Sequence, residues 1–194
     1  TLFTSGSTGK PKAIIHGVRE YLKYAQFTTE YFFGVKRYSK IFTAVDAGWI
    51  NGHTYSFYGP LLVGAKSIIN EEPLLLTIPK FLGEYFEKLK PNCFYTSVTF
   101  LRLLKTLCSK DSNIFDFFHK EEIDFFLDRI GSCGEPLAHS VGDWAIRFFK
   151  PVNKHIVNTY FQTETGGILM APRAEDLPIR NYATVGRNKF PIDI

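Results

Sequence analysis

The densest group of chemically useful residues lies at positions 4–12, in the sequence TSGSTGKPK. Two glycines let the backbone approach an anion, the hydroxyl side chains of Ser5, Ser7 and Thr8 can donate hydrogen bonds, and two lysines supply positive charge. The motif is not G-x-x-x-x-G-K-[ST], because Pro11 follows Lys10 where that motif has a hydroxyl. Placed between a strand and a helix, these residues predict a phosphate-binding loop, and an ordinary surface loop is the alternative. The loop residues are Thr4, Ser5, Gly6, Ser7, Thr8, Gly9, Lys10 and Lys12.

Three further polar clusters could take part in the same chemistry. At positions 159–164, the Glu164 carboxylate could hold Mg²⁺, Thr163 could bond a phosphate and Tyr160 could stack on a base. Taken alone, that cluster is better explained as a β-turn with ordinary exposed polar residues. Positions 134–136 form a Gly-Glu-Pro turn before a helix, and positions 49–53 are expected in a loop whose Trp and His more often serve packing or capping.

The elements that must position these clusters alternate between strand and helix patterns. Strands are predicted at 41–45, 66–70, 92–95, 126–132 and 154–159, and helices at 18–32, 55–62 (broken near Pro60), 80–89, 99–107 and 139–149. Such alternation predicts an α/β fold with a mainly parallel sheet flanked by helices. Ligands of such sheets bind outside the carboxyl ends of the strands, where the polar clusters are expected to meet.

The composition excludes several classes of protein. The 194 residues are 45% hydrophobic and 22% charged, with a net charge of +4 and no clustered basic residues, so we expect no nucleic-acid or membrane partner. Three cysteines form neither a CxxC pair nor a disulfide framework, which favours a reducing, intracellular and thus cytoplasmic location.

Taken together and in order, the motifs resemble those of the acetyl-CoA synthetase family of short-chain acyl-CoA synthetases, within the adenylate-forming enzymes. The family's YTSGSTGKPKG is similar to FTSGSTGKPKA here, GWVTGHSYxxYGPL to GWINGHTYSFYGPL, GSVGEPI to GSCGEPL, and DTWWQTETGG to NTYFQTETGG. The resemblance covers essentially the whole chain and implies ATP, Mg²⁺ and CoA as cofactors or substrates, with a short-chain carboxylate.

The resemblance also implies a role for each motif residue. Lys10, Thr163 and Glu164 would act on the reacting phosphates, with Glu164 as the Mg²⁺ ligand. The nucleotide would be bound by the residues of the first loop from Thr4 to Lys10 and by Gly134, Glu135, Pro136, Asn158, Thr159, Tyr160, Gln162 and Thr163. The acyl pocket would be formed by Trp49, Ile50, Asn51, Cys133 and Phe161.

The chain departs from the family in ways that bear on activity. Phe161 replaces the tryptophan that limits the acyl pocket, Ile50 and Cys133 replace two valines, and Asn158 replaces an aspartate. The family's ribose-binding aspartate and C-terminal lid lysine have no counterpart in these residues, so we expect a central fragment, inactive alone, whose partners include the missing parts of its own chain. The expected organisation is an ATP-binding α/β subdomain at 1–171 and the start of a β subdomain at 172–194. A domain that loads a carrier-protein thiol and a non-catalytic scaffold are the alternatives.

Overall fold

The strands form a small hairpin and a larger parallel sheet. The computed structural model describes residues 1–4, 9–70, 85–110, 126–173 and 182–186. In the hairpin, β1 (Leu2–Thr4) pairs antiparallel with β2 (Lys12–Ile14). The parallel sheet has the order β4-β3-β5-β6-β7. Its strands are β3 (Lys40–Ala44), β4 (Lys66–Ile68), β5 (Cys93–Ser97), β6 (Arg129–Cys133) and β7 (Ile156–Asn158).

Helical segments connect these strands, so the α/β fold predicted from the alternating pattern is confirmed. They are α1 (Val18–Phe33), α2 (Ile50–Gly52), a π-helix (His53–Tyr58), α3 (Gly59–Val63), a π-helical turn (Tyr85–Leu89), α4 (Val98–Lys110), α5 (His139–Phe149) and a 3₁₀ turn (Thr163–Thr165). None of the helices in the described ranges is both long and apolar enough to cross a bilayer.

Alternate side chains of each strand point to opposite faces of the sheet, and each face packs against its own set of helices. Phe42, Phe94, Ile130 and Ile156 are register partners in one row across the sheet, and they pack with α4 and α5. Side chains of the opposite orientation, such as Tyr95, pack with α1 and with Tyr55 of the π-helix. The protein is therefore built of three layers, with one buried apolar core on each side of the sheet.

Gly131 shows how closely the α1 layer approaches the sheet. A Cβ atom at this position would lie 2.5 Å from Cδ2 of Tyr95 and 2.6 Å from Cε1 of Phe33. The two rings occupy the space that any larger residue of β6 would need. Glycine is therefore required here by packing.

The helical run from Ile50 to Val63 corrects two expectations. Residues 50–53 were expected in a loop, and the helix at 55–62 was expected to break near Pro60, yet α2, the π-helix and α3 follow one another without interruption. Pro60 is tolerated because it stands in the first turn of α3, where a missing N–H costs little. Gly59 lets this run pack on α1, since a Cβ there would meet Oγ1 of Thr29.

Other expectations agree with the structure or lie partly outside its described residues. Strand β4 ends at Ile68, two residues earlier than expected, and residues 80–84 of the expected helix 80–89 are not described. Within the expected start of a β subdomain at 172–194, Tyr182 and Ala183 form a turn, and residues 174–181 and 187–194 are not described.

Candidate functional site

Three of the four polar clusters meet at the carboxyl edge of the parallel sheet, as predicted. They follow β3, β6 and β7, which end at Ala44, Cys133 and Asn158. The chain leaves β3 toward β4 on one side and then returns to β5 on the other, so the strand order reverses between β3 and β5. Crevices at such a reversal are the usual ligand sites of open parallel sheets.

The glycine-rich loop corrects the expectation that it joins a strand to a helix at the sheet's edge. It connects the two strands of the separate hairpin, and Pro11 stands just before β2. Gly9 adopts a φ of +78°, which glycine reaches without strain, and Lys10 is exposed. Residues 5–8 of this predicted loop lie outside the described residues, and their predicted role stays a prediction.

The hairpin is nevertheless joined to the cluster that follows β7. The Nζ atom of Lys12 lies 2.5 Å from Oε1 of Glu164, and Nε2 of His16 lies 2.7 Å from the carbonyl oxygen of Thr163. The hydrogen bond from Lys12 is the main cause that lowers the pKa of Glu164, so this exposed carboxylate is ionised at neutral pH. Lys10 and Glu164, two of the expected catalytic residues, are thus carried by elements that touch.

The turn that carries Thr163 and Glu164 is held by Gln162, which the sequence did single out, and by Thr54, Tyr55 and Thr165, which it did not. Gln162 and Thr165 form a reciprocal capping box around the turn, and Thr54 donates to the carbonyl oxygen of Gly166 at 2.7 Å. The N–H of Ile168 donates to Oη of Tyr55 at 2.7 Å. In the sequence, only the spacing of the aromatic residues in the segment 53–58 could have indicated that side chains from this segment hold the turn.

Glu135 does not extend freely toward a ligand. Its Oε1 accepts a hydrogen bond from Thr99 at 2.5 Å, and its Oε2 lies 2.9 Å from Nη2 of Arg102 on α4. The bond from Thr99, followed by that from Arg102, lowers the pKa of this carboxylate. Gly134 adopts a φ of +91°, and with Pro136 it turns the chain sharply after β6.

Asn158 and Thr159 are buried at the end of β7. Oδ1 of Asn158 accepts from Ser132 at 3.1 Å, and its Nδ2 lies 3.3–3.4 Å from the carbonyl oxygens of residues 182–184. Thr159 donates to the carbonyl oxygen of Ser132 at 2.8 Å. The ring of Tyr160 is 47% exposed, which leaves it accessible for the stacking that the sequence predicts.

The residues predicted to form an acyl pocket are brought together, with one exception. Asn51 donates from Nδ2 to Sγ of Cys133 at 2.7 Å, and Ile50 is buried beside it. Phe161 packs edge-on against Tyr55, with ring centroids 5.9 Å apart, in the core cluster that contains Cys133. Trp49 is 61% exposed and has no described contact with the others. Burial raises the pKa of Cys133 to about 12, so its thiol stays protonated.

Comparison with known proteins agrees with this geometry. The profile of the family described as "AMP-binding enzyme" matches residues 1–193. The chain belongs to the AMP-binding enzyme family. It is 42% identical to acetyl-coenzyme A synthetase 1 of Candida albicans over 92% of this chain and 26% of that protein. It is 35% identical to acetyl-coenzyme A synthetase of Campylobacter jejuni (strain 81-176) over the same shares.

A solved structure supports the fold independently. The anthranilate CoA ligase AuaEII in complex with anthranoyl-AMP matches with a TM-score of 0.77 at 20% identity, covering 96% of this chain and 33% of that one. The predicted resemblance to the acetyl-CoA synthetases is confirmed by the relatives. The chain spans about a quarter of the length of the curated relatives that it matches.

Proposed function

We propose that this chain is the ATP-binding part of an AMP-forming acyl-CoA synthetase that activates acetate or another short-chain carboxylate. In the first half-reaction the carboxylate attacks the α-phosphorus of ATP, giving acyl-AMP and pyrophosphate. In the second the CoA thiolate attacks the acyl carbon, giving acyl-CoA and AMP. The observation that carries the proposal is the ion pair between Lys12 and Glu164, which joins the hairpin of the glycine-rich loop to the polar turn that follows β7.

The chemistry of the first step fits a site built from these side chains. A carboxylate substrate is already ionised at neutral pH, so its attack needs positioning and charge neutralisation rather than a general base. Lys10 would neutralise charge on the phosphates, and the hydroxyl of Thr163 would orient them. The exposed ring of Tyr160 would stack on the adenine, and Phe161 with Ile50 would supply apolar walls for a short acyl chain.

Glu164 fits the role of a Mg²⁺ ligand. The described residues contain no group of three or more His, Cys, Asp or Glu side chains that could hold a metal ion. A site with one carboxylate suits Mg²⁺, which commonly takes one or two carboxylates and completes its shell with phosphate oxygens and water. Glu164 is ionised and exposed, and a Mg²⁺ ion bound to its carboxylate would share that group with Lys12. Bound there, Mg²⁺ would neutralise phosphate charge.

Isotope exchange between pyrophosphate and ATP tests the proposal in the full-length protein that carries this chain. Exchange should depend on the acid, with acetate or propionate as the first acids tried, and Lys10→Ala should lower it at least about tenfold, or ~1.4 kcal/mol. Lys66→Ala is the matched control, because Lys66 is exposed at the amino end of β4, opposite the site. Equal rates for Lys10→Ala and the control would contradict a phosphate-binding role for the loop.

The second half-reaction needs its own measurement. Free CoA should release the acyl group from the adenylate as a thioester, detected by mass spectrometry. Transfer to a carrier-protein thiol but not to CoA would exclude the synthetase while leaving adenylation intact.

A further inference from the structure

One of the two polar atoms of the Asn51 side-chain amide has no hydrogen-bond partner among the described residues. Asn51 is only 8% exposed, and its Oδ1 atom is buried with no donor among the described residues. A buried acceptor that has lost water and gained no partner is destabilising, so each one in a native protein calls for an explanation, such as a bound water, an ion or a functional role. The side-chain oxygen of Asn51 could therefore accept a hydrogen bond from a ligand.

The network around Asn51 fixes which end of its amide is free. The thiol of Cys133 has a single hydrogen and donates it to the carbonyl oxygen of Thr96, with Sγ and that oxygen 3.4 Å apart. The sulfur can therefore only accept from Asn51, and Nδ2 is the donor at 2.7 Å. Because burial keeps this thiol protonated, the assignment is the same throughout the working pH range. The amide atom of Asn51 that lacks a hydrogen-bond partner among the described residues is therefore its oxygen, Oδ1.

This oxygen lies where the fold places a ligand. Asn51 is the second residue of the helical run that follows β3, Thr96 belongs to β5, and Cys133 ends β6. The three residues bracket the reversal of strand order between β3 and β5, at the carboxyl edge of the sheet. Ile50 and Phe161 add apolar surface to the same neighbourhood.

We propose that the acyl site selects a short carboxylic acid that carries a hydroxyl group on its chain, and that this hydroxyl donates to Oδ1 of Asn51. The inference rests on the proposed function and narrows the substrate class of that same site. A plain alkyl chain would leave the buried oxygen unpaired, whereas a hydroxyl satisfies it. Sites built to bond a substrate hydroxyl discriminate strongly against analogues that lack one.

Matched pairs of acids test the proposal in the full-length protein. Glycolate has nearly the size of propionate, lactate that of isobutyrate, and 3-hydroxypropionate that of butyrate, so each pair differs chiefly in one hydroxyl. Acid-dependent pyrophosphate exchange should show kcat/KM at least about tenfold higher for a hydroxy acid than for its partner in at least one pair.

The variant Asn51→Leu keeps a side chain of similar size and removes the acceptor. Within this variant, the ratio of kcat/KM for the preferred hydroxy acid to that for its apolar partner should fall at least about tenfold from the wild-type ratio. The ratio compares two acids on one enzyme preparation and so does not depend on how much of the variant folds. If the variant yields no active protein, the comparison of the matched acids on the wild-type enzyme still tests the proposal.

The outcomes separate this inference from the proposed function. Exchange with the apolar acids at rates equal to or above those of all the hydroxy acids overturns the hydroxy-acid inference and leaves the synthetase standing. Exchange with none of the acids overturns both. A wild-type preference for the hydroxy acid that survives in Asn51→Leu would overturn the role of Asn51, because the selective group would then lie elsewhere.

Discussion

Replacing Tyr55 by phenylalanine removes one oxygen atom that joins the π-helix to the segment after the 3₁₀ turn. That oxygen accepts from the N–H of Ile168 at 2.7 Å and lies 3.1 Å from Oγ1 of Thr28, and Tyr55 itself is fully buried. Thr28 keeps its bond to the carbonyl oxygen of Tyr24, whereas the buried N–H of Ile168 loses its acceptor. The cost of the substitution therefore falls mainly on Ile168.

An unpaired buried N–H costs about 1–3 kcal/mol. A folded unit of this size loses about 2–4 °C of thermal midpoint per kcal/mol, so Tyr55→Phe in the full-length protein should lower the midpoint of the transition that unfolds this part by roughly 2–12 °C. Because burial raises the pKa of Tyr55, its hydroxyl stays protonated and the loss should be equal across the working pH range. Peptides that cover residues 160–170 should also exchange amide hydrogen faster.

Tyr58→Phe is the matched control for this experiment. Tyr58 lies in the same π-helix but is 41% exposed, and its described contacts with Tyr21 and His53 are made by the ring, which the change preserves. Its midpoint should stay within about 2 °C of the wild type, since exposed substitutions usually cost less than about 0.5 kcal/mol. Equal midpoints and equal exchange for both variants would refute the role given to the Tyr55 oxygen.

Three other predictions follow from the site and the surface. The hydrogen bond from Lys12 lowers the pKa of Glu164, so this ion pair is present above the ordinary glutamate range and is lost as the pH falls through the lowered pKa. Lys12→Met should raise that pKa toward its ordinary value in carboxyl NMR titrations, and an unchanged pKa would mean that another group holds Glu164. Phe161→Trp in the full-length protein should narrow the acyl site and lower kcat/KM for propionate about tenfold relative to acetate; a wild-type preference for acetate already above about a hundredfold would instead assign the limit to the backbone. The isolated chain should self-associate in light scattering, because apolar side chains such as Phe3 and Ile15 are 67% and 78% exposed, and a monodisperse monomer with a cooperative melt would contradict this.

The parallel sheet could be predicted from sequence because its strands are short runs of buried residues. Phe42, Phe94 and Ile130 stand in such runs, and each of these runs is followed by a helix or a polar turn. Once the strands are parallel, their carboxyl ends must share an edge, so the meeting of three polar clusters followed from topology alone.

A helix at 55–62 was predicted, but the unbroken helical run from 50 to 63 could not be, because local signals there oppose it. Gly52, Gly59 and Pro60 are each poor residues for a helix interior, and together they predict breaks. Packing against α1 overrides them, since Gly59 is the residue that allows the close approach to Thr29. The energetic gain lies in tertiary contacts that no window of sequence contains.

The contacts that build the site also could not be predicted from the spacing of residues in the sequence. Asn51 and Cys133 are 82 residues apart in sequence and still bond directly. Lys12 was expected to serve the phosphate loop, and its pairing with Glu164 depends on where the hairpin lies against the 3₁₀ turn. Motif resemblance supplied the identities of these residues, but only the fold supplied their partners.

The two faces of the sheet relate differently to the candidate site. The face covered by α4 and α5 is packed with phenylalanine, leucine and isoleucine, as around Phe94 and Phe149, and its contribution is burial of apolar area. The face covered by α1 carries Tyr55, Tyr95 and Cys133, whose polar atoms bond Ile168, Thr159 and Asn51 at the carboxyl edge. Loss of packing on the first face should therefore lower stability with little change in acid selectivity. Loss on the second face should alter both, because there the same side chains fill the core and hold the site.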